Sequence, residues 1–236
     1  MRRAAAAGLM AAGAALAQPS LAPLDGPGAT TAPPWREVLL PQQSLPRTRF
    51  TIAELDGQRA LRIESAGSYG NLVHELALPA GATPVLSWRW RLDRAIDGAA
   101  LQRKAGDDAA LKVCVLMDAP LDGIPFLERQ QLRLARLLSG EPLPAATLCY
   151  VWDPALAAGS VLPNAYTRRM RWWVLQGRSS PLGTWREERR ELRADVLRAF
   201  GDELAELPRI TAVLVGADAD NTGGQGLGFV AGMALR

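Results

Sequence analysis

Short segments in which apolar and polar residues alternate constrain the fold of this chain more than any other feature. The clearest spans residues 84–92, where Trp88 and Trp90 fall on one face. Arg89 and Arg91 fall on the other face. A period of two is that of a β-strand with one buried side. Similar runs separated by Gly, Pro, Asp and Asn lie at 59–64, 72–76, 111–117, 148–152, 170–175, 210–215 and 227–235. These runs predict a mainly β protein, a two-sheet antiparallel β-sandwich of the jelly-roll, lectin-like type.

Two segments depart from this alternation and have helical spacing instead. Residues 126–138 place leucines among Arg and Gln and end before a Ser-Gly pair. Residues 185–200 place Leu192, Val196 and Phe200 on one helical face, with Arg and Glu at pairing distance. We therefore expect two peripheral helices that cover an end or an edge of the sandwich.

The N-terminus has the pattern of an export signal. Two arginines precede an uncharged, Ala-rich run from Ala4 to Ala17, which ends in small residues suited to a signal peptidase. The run is too short to span a membrane, which takes roughly 20 residues. We expect residues 1–17 to be a signal peptide, residues 18–35 a flexible Pro/Ala-rich segment, and residues 36–236 a single β-sandwich domain. A periplasmic or secreted location follows.

The charge balance argues against a nucleic-acid-binding protein. The chain has 27 basic and 24 acidic residues, a formal net charge of +3. Removing Arg2 and Arg3 with the signal peptide would reduce this to +1. Arg and Glu alternate within the same segments, whereas a phosphate-binding surface needs an excess of one sign on one face.

The chain has two cysteines and one histidine, too few thiol and imidazole groups for a usual four-ligand zinc site. Cys114 and Cys149 lie in strand-like runs and either form a disulfide in an oxidising compartment or are small buried residues. His74 lies in an alternating strand and is expected to be partly exposed. No nucleophile-elbow motif accompanies it, so a Ser-His-Asp hydrolase is not indicated.

Five motifs in order resemble the exported bacterial family called Domain of Unknown Function 3047. They are Leu86-Ser87-Trp88-Arg89-Trp90, Gly106 to Val113, Leu148-Cys149-Tyr150-Val151-Trp152, Phe200-Gly201 and Asp218-Ala219-Asp220-Asn221-Thr222. The resemblance runs from about Phe50 to the C-terminus. It implies export and one β-rich domain, but no reaction. Lys112 and Cys149 differ from the family pattern, in which an arginine and an asparagine are usual.

Acidic residues follow or precede strands at two distant places in the chain. Asp107 and Asp108 precede the run at 111–117, and Asp218, Asp220 and Asn221 follow the run at 210–215. If these strand ends share one rim of the sandwich, the carboxylates converge there. No cofactor is expected apart from Ca²⁺, which such oxygen ligands suit. The alternative is that these Asp and Asn residues only build turns and cap strands.

A second group of candidates combines cations and aromatic rings. Arg89, Arg91, Lys112, Tyr150 and Trp152 would lie on a sheet face if the strand register allows it. Aromatic rings stack on sugar faces, and charged groups bind hydroxyls, so this face would take a saccharide. The alternative is that the tryptophans form the core.

Together these features predict an exported ligand-binding β-sandwich whose ligand is a saccharide or envelope glycan. This prediction rests on fold-level analogy with lectin-like sandwiches. A first alternative is a carbohydrate-active hydrolase or lyase that uses Asp108 with Asp218 or Asp220. A second alternative is a structural envelope protein whose helices dock a partner protein.

Overall fold

The computed structural model describes residues 20–121, 124–139 and 143–236, without the side chains of 138 and 139. The expected signal peptide, 1–17, lies outside the described residues. The seven-stranded sheet contains, in spatial order, β1 (Arg36–Val38), β4 (Tyr69–Leu78), β11 (Arg209–Asp218), β6 (Ala109–Asp118), β7 (Ala146–Trp152), β9 (Met170–Gln176) and β8 (Val161–Pro163). The five-stranded sheet contains β10 (Arg186–Glu191), β5 (Val85–Arg94), β12 (Gln225–Leu235), β3 (Gln58–Ala66) and β2 (Arg49–Leu55).

The two sheets pack face to face, which confirms the predicted β-sandwich. All strand pairs are antiparallel except β7 and β9, which run parallel. The strand β8 lies between them in sequence and pairs antiparallel with the outer side of β9. The alternation seen in the sequence sets the faces: in β5 the even-numbered residues from Leu86 to Leu92 are buried, and the odd-numbered ones are partly exposed.

The core between the sheets is rich in aromatic side chains. The ring of Trp88 lies 5.4 Å from that of Tyr150 on the opposite sheet. The rings of Trp90 and Trp152 are 5.9 Å apart. All four side chains are buried. Large rings of this kind remove more apolar area from water than any other side chains, so these contacts hold the two sheets together.

A buried polar network joins this core to the helix α2 (Leu192–Ala199). The Asp195 carboxylate accepts a hydrogen bond from Tyr150 Oη at 2.7 Å and two from the Arg190 guanidinium, both at 2.7 Å. Burial raises the pKa of Tyr150, and the neighbouring Asp195 carboxylate raises it further. Tyr150 therefore stays a hydrogen-bond donor, which is the role its geometry requires.

The helix predicted at 126–138 is present as α1 (Phe126–Ser139), but the one predicted at 185–200 is only half helix. Its first part, Arg186–Glu191, is the edge strand β10 and pairs with β5. The Arg/Glu sequence fits both periods, and the open edge of β5 offers backbone partners that a helix would leave unpaired. None of the described helices is long and apolar enough to cross a membrane.

Residues 20–35, which precede the sandwich, are packed against it and are not free in solvent. Leu24 is fully buried in the core, and Trp35 is nearly so. The backbone N–H of Ala22 donates to His74 Nε2 at 3.0 Å, and the Trp35 ring meets the His74 imidazole edge-on. His74 is therefore a buried structural residue, not the partly exposed strand residue that the sequence suggested.

Cys114 on β6 and Cys149 on β7 form a disulfide. The two residues lie directly opposite each other in the strand register. Their side chains point away from the aromatic core, toward the outer face of the seven-stranded sheet. Of the two interpretations left open by the sequence, the structure contains the disulfide.

Candidate binding groove

A groove of about 1280 Å³ runs across the outer face of the seven-stranded sheet. We call it the groove. Its floor is formed by outward side chains of β4, β11, β6 and β7, and one end is bordered by α1. The middle of the floor is apolar and includes the Cys114–Cys149 disulfide, Leu116 and Leu214. The opposite end carries charged and aromatic groups.

This opposite end holds what we call the acidic cluster, which consists of Asp107, Lys112, Asp218, Asp220 and Asn221. Lys112 Nζ lies 3.0 Å from Asp218 Oδ2, and both side chains are about nine-tenths buried. The other oxygen of Asp218 accepts the backbone N–H of Ala109 at 2.9 Å. Burial lowers the pKa of Lys112, but Asp218 and Tyr69 raise it more, so its pKa lies above the usual range. Lys112 is thus a fixed cation among carboxylates.

Asp107 is buried beside this ion pair. Its two oxygens accept hydrogen bonds from Asn164 Nδ2 and from Trp172 Nε1. Burial raises the pKa of Asp107 to about 6, the hydrogen bond from Asn164 opposes this rise, and the nearby Asp218 carboxylate adds to it. Asp107 therefore changes its charge in a pH range where ordinary aspartates are fully ionised.

We expect the Asp107 carboxyl to titrate with a midpoint of about pH 6, above its ordinary pKa of 3.8. The sign follows from linkage: stability contributed by the protonated form is fully present below about pH 4 and is lost as the pH rises through about 6. Carboxyl ¹³C shifts measured by NMR from about pH 3 to about pH 8 will show this titration. This titration should be absent from Asp107→Asn. A midpoint of about pH 4 or lower in the unaltered protein would contradict the buried environment of the Asp107 carboxyl.

Asp220 is the member of the cluster that is open to a ligand. Among the described residues, no group of another residue hydrogen-bonds to its carboxylate. Burial raises the pKa of Asp220, and the Asp218 and Asp108 carboxylates raise it further. The hydrogen bond that this half-buried carboxylate accepts comes from its own backbone N–H, so lone pairs remain to accept hydrogen bonds from hydroxyl or ammonium groups.

An exposed tyrosine stands beside Asp220 at the rim of the groove. Tyr166 is 58% exposed, and its hydroxyl donates to Asn221 Oδ1 at 2.8 Å. The Lys104 ammonium lies over its ring, 5.3 Å from the centroid. The ring is therefore held in position while much of it remains open to solvent.

Asp108 has a structural role instead. Its carboxylate accepts the backbone N–H groups of Asn221 and Thr222 at 3.0 and 2.8 Å. It also accepts Thr222 Oγ1 at 2.6 Å and Asn221 Nδ2 at 3.1 Å. Asp108 thus fixes the loop that carries Asn221. The four aspartates converge as expected, but the Asp108 carboxylate turns to this loop and not to the groove.

Asn71 is a buried polar residue next to the cluster. Its Nδ2 donates to Tyr69 Oη at 2.9 Å, and its Oδ1 has no hydrogen-bond partner among the described residues. The Oδ1 lies over Gly216 of β11, where a Cβ would overlap it. Only glycine at this position lets Asn71 lie flat on the sheet.

Four predicted site residues lie elsewhere. Arg89 and Arg91 are on the outer face of the five-stranded sheet, on the opposite side of the molecule, where Arg91 pairs with Asp93 and Asp56. Tyr150 and Trp152 point into the core. The register explains this: Lys112 lies opposite Val151, so the residues on either side of Val151 face the other way. The expected cation–aromatic face that combined these residues is absent from the described structure.

A family model described as "Protein of unknown function (DUF3047)" matches residues 33–233. The chain belongs to the DUF3047 family. A search of curated proteins found no significant match to this DUF3047 chain.

Solved structures similar to the DUF3047 chain include two carbohydrate-active domains. One is the xyloglucanase domain of NopAA, a type three effector from Sinorhizobium fredii, in complex with cellobiose, at 8% identity and a TM-score of 0.39. The alignment covers 81% of this chain and 89% of that one. The other is Trichoderma harzianum endoglucanase 3 from family GH12, at 9% identity and a TM-score of 0.36, covering 87% and 97%.

No sequence pattern pointed to several of the residues that line the groove. Tyr69, Asn71, Asn164 and Tyr166 lie in a strand start or a loop without a recognisable motif. Only their position after folding brings them to the cluster. No group of three or more His, Cys, Asp or Glu side chains in the described ranges is placed to hold a metal ion. The carboxylates that suggested Ca²⁺ lie around the Lys112 ammonium, which supplies a positive charge there.

Proposed function

We propose that this DUF3047 protein is an exported saccharide-binding protein and that the groove takes the saccharide. The observation that carries the proposal is the Asp220 carboxylate, which is half-buried at the polar end of the groove and accepts no hydrogen bond from another described residue. Export is supported by the N-terminal signal pattern and by the Cys114–Cys149 disulfide, which persists in oxidising compartments.

The residues around Asp220 provide what saccharide recognition needs. Carboxylate and amide oxygens accept hydrogen bonds from sugar hydroxyls, and the open ring of Tyr166 offers a stacking surface. The groove exceeds the roughly 300–1,000 Å³ of usual small-molecule sites, so a ligand of several sugar units fits.

The charge of the acidic cluster limits which saccharides bind. Three aspartates surround one lysine, so the cluster keeps a net negative charge even when Asp107 is protonated. Acidic sugars would be repelled, while neutral and amino sugars would be accepted. We therefore expect the ligand to belong to the neutral or amino class.

The geometry favours binding over hydrolysis. Two-carboxylate hydrolysis needs one free acid and one free base or nucleophile on either side of the bond. Asp107 and Asp218 have both oxygens engaged, and Asp108 is committed to its loop. Asp220 alone remains free in the cluster, which is enough for binding but not for that chemistry.

We expect Asp220→Asn to weaken saccharide binding by roughly ten- to a hundredfold, because a hydrogen bond to a charged group contributes about 1.5–3 kcal/mol. Neutral, amino and acidic oligosaccharides are first screened by thermal shift, and the affinity of the best is then measured by calorimetry. Protein recovered from the periplasm is used, and its N-terminal sequence also reports whether cleavage follows Ala17.

The matched control is Glu187→Gln, an exposed carboxylate on β10 at the opposite sheet, which should leave affinity unchanged. Tyr166→Ala should also weaken binding, through loss of stacking. If no oligosaccharide raises the melting temperature, or if Asp220→Asn binds as tightly as the unaltered protein, the proposal is wrong.

A further inference from the structure

The helix α1 turns an apolar face toward solvent instead of toward the protein. Phe126 and Leu127 are each 67% exposed, Leu134 is 56% exposed and Leu137 is 81% exposed. At 100° per residue these four side chains fall within about one third of the helix circumference. Leu132, on the opposite side, is buried. An apolar stripe of this kind left in water indicates a surface with a partner.

The charged residues of α1 lie outside this apolar face. Its only acidic residue, Glu128, points to the protein body and pairs with Arg169 at 3.3 Å. Arg133 is exposed beside the apolar stripe, and Arg129 lies over the Phe126 ring, 5.8 Å from its centroid. One border of the apolar face is thus basic, and no acidic side chain lies on the solvent side of the described helix.

We infer that α1 is a membrane-docking helix that lies in the interface of an anionic lipid surface. Leucines and a phenylalanine on one face with arginines at its border are the pattern of interfacial amphipathic helices. The arginines would meet lipid phosphates while the apolar side chains enter the acyl boundary. A lipid surface complements both the apolar stripe and the positive border.

A second copy of the chain fits this face less well. A stable protein–protein interface buries roughly 800 Å² on each partner, which is more than four side chains on one short helix provide. The basic border would also face its own like charges in a symmetric pair. A bilayer requires neither a large flat area nor a complementary set of acids.

Docking through α1 would place the groove beside the membrane. Leu132 and Ala135 on the inner side of the helix line the groove, while the apolar stripe lies on the outer side. Docking through α1 requires no particular ligand in the groove.

The test uses a reporter on the helix itself. Both cysteines of the chain are in the disulfide, so Leu137→Cys introduces a single reactive thiol for an environment-sensitive fluorophore. With vesicles of phosphatidylglycerol, we expect the emission to rise several-fold and shift to the blue; phosphatidylcholine vesicles should give much less. Labelling at Leu182→Cys, an exposed leucine away from α1, is the matched control and should not respond.

Arg133→Gln in the labelled protein should weaken binding to the anionic vesicles by roughly fivefold, the effect of removing one basic residue near such a surface. An unchanged emission of the α1 label with anionic vesicles overturns the inference. So does an emission change that depends on protein concentration without lipid, because that would identify a second copy of the chain as the partner. A reporter on α1 also keeps any lipid affinity of residues 1–17 from being mistaken for docking by the helix.

Discussion

Replacing Lys112 with Met is expected to lower the free energy of unfolding by about 3–5 kcal/mol. Methionine fills a similar volume without charge, so the change isolates the loss of the ammonium group. Asp218, which lies 3.0 Å from Lys112 Nζ, would lose its cation in a buried site. For a chain of this size we expect the melting temperature to fall by about 10 °C.

Three further variants separate the ion pair from simple packing. Lys112→Arg keeps the positive charge and should lose far less stability than Lys112→Met. Asp218→Asn combined with Lys112→Met removes both charges and should be more stable than Lys112→Met alone. With the Asp218→Asn single variant it completes a double-mutant cycle, which gives the coupling energy between the two sites. Urea unfolding measures all of these. Equal losses for Met and Arg, or no coupling between the two sites, would show that the pair does not stabilise the cluster.

Replacing Asp195 with Ala should cost a similar amount, about 3–5 kcal/mol, for a related reason. The carboxylate receives three hydrogen bonds, one from Tyr150 and two from Arg190. Without it, a buried phenol and a half-buried guanidinium lose their acceptor inside the sandwich. Thermal or urea unfolding of the variant measures the loss.

The size of this effect can be divided among the partners. Tyr150→Phe removes one hydrogen bond and should cost about 1–2 kcal/mol. Arg193→Ala, on the exposed side of the same helix, should change stability by less than about 0.5 kcal/mol. A loss for Asp195→Ala no larger than that for Arg193→Ala would show that the network adds little to the stability of the core.

Much of the fold could be predicted from local patterns. The alternation at 84–92 correctly predicts a strand whose tryptophans face the core, and the leucine spacing at 126–138 correctly predicts α1. The prediction failed at 186–191, where Arg and Glu satisfy both the helical and the strand period. There the decision came from the unpaired edge of β5, which no local pattern contains.

The candidate site was predictable only in part. Strand order brings β6 and β11 side by side, so Asp107 and Asp218 meet although they are far apart in sequence. The register between β6 and β7, in which Lys112 lies opposite Val151, then places Tyr150 on the inner face of the sheet and Cys149 on its outer face. Because successive side chains of a strand point to opposite faces, a register shift of one residue would have reversed this.

The sequence by itself determined the period of most elements, β10 excepted, and with it which side chains could share a face. It also determined that polar residues stand at strand ends, because turns need them. Only the tertiary structure decided which faces pack against each other. It also decided that Asp108 is committed to a loop while Asp220 stays open, and that the apolar side of α1 is left in solvent. The physical reason is that period is a property of neighbouring residues, whereas pairing and register depend on the whole sheet being packed at once.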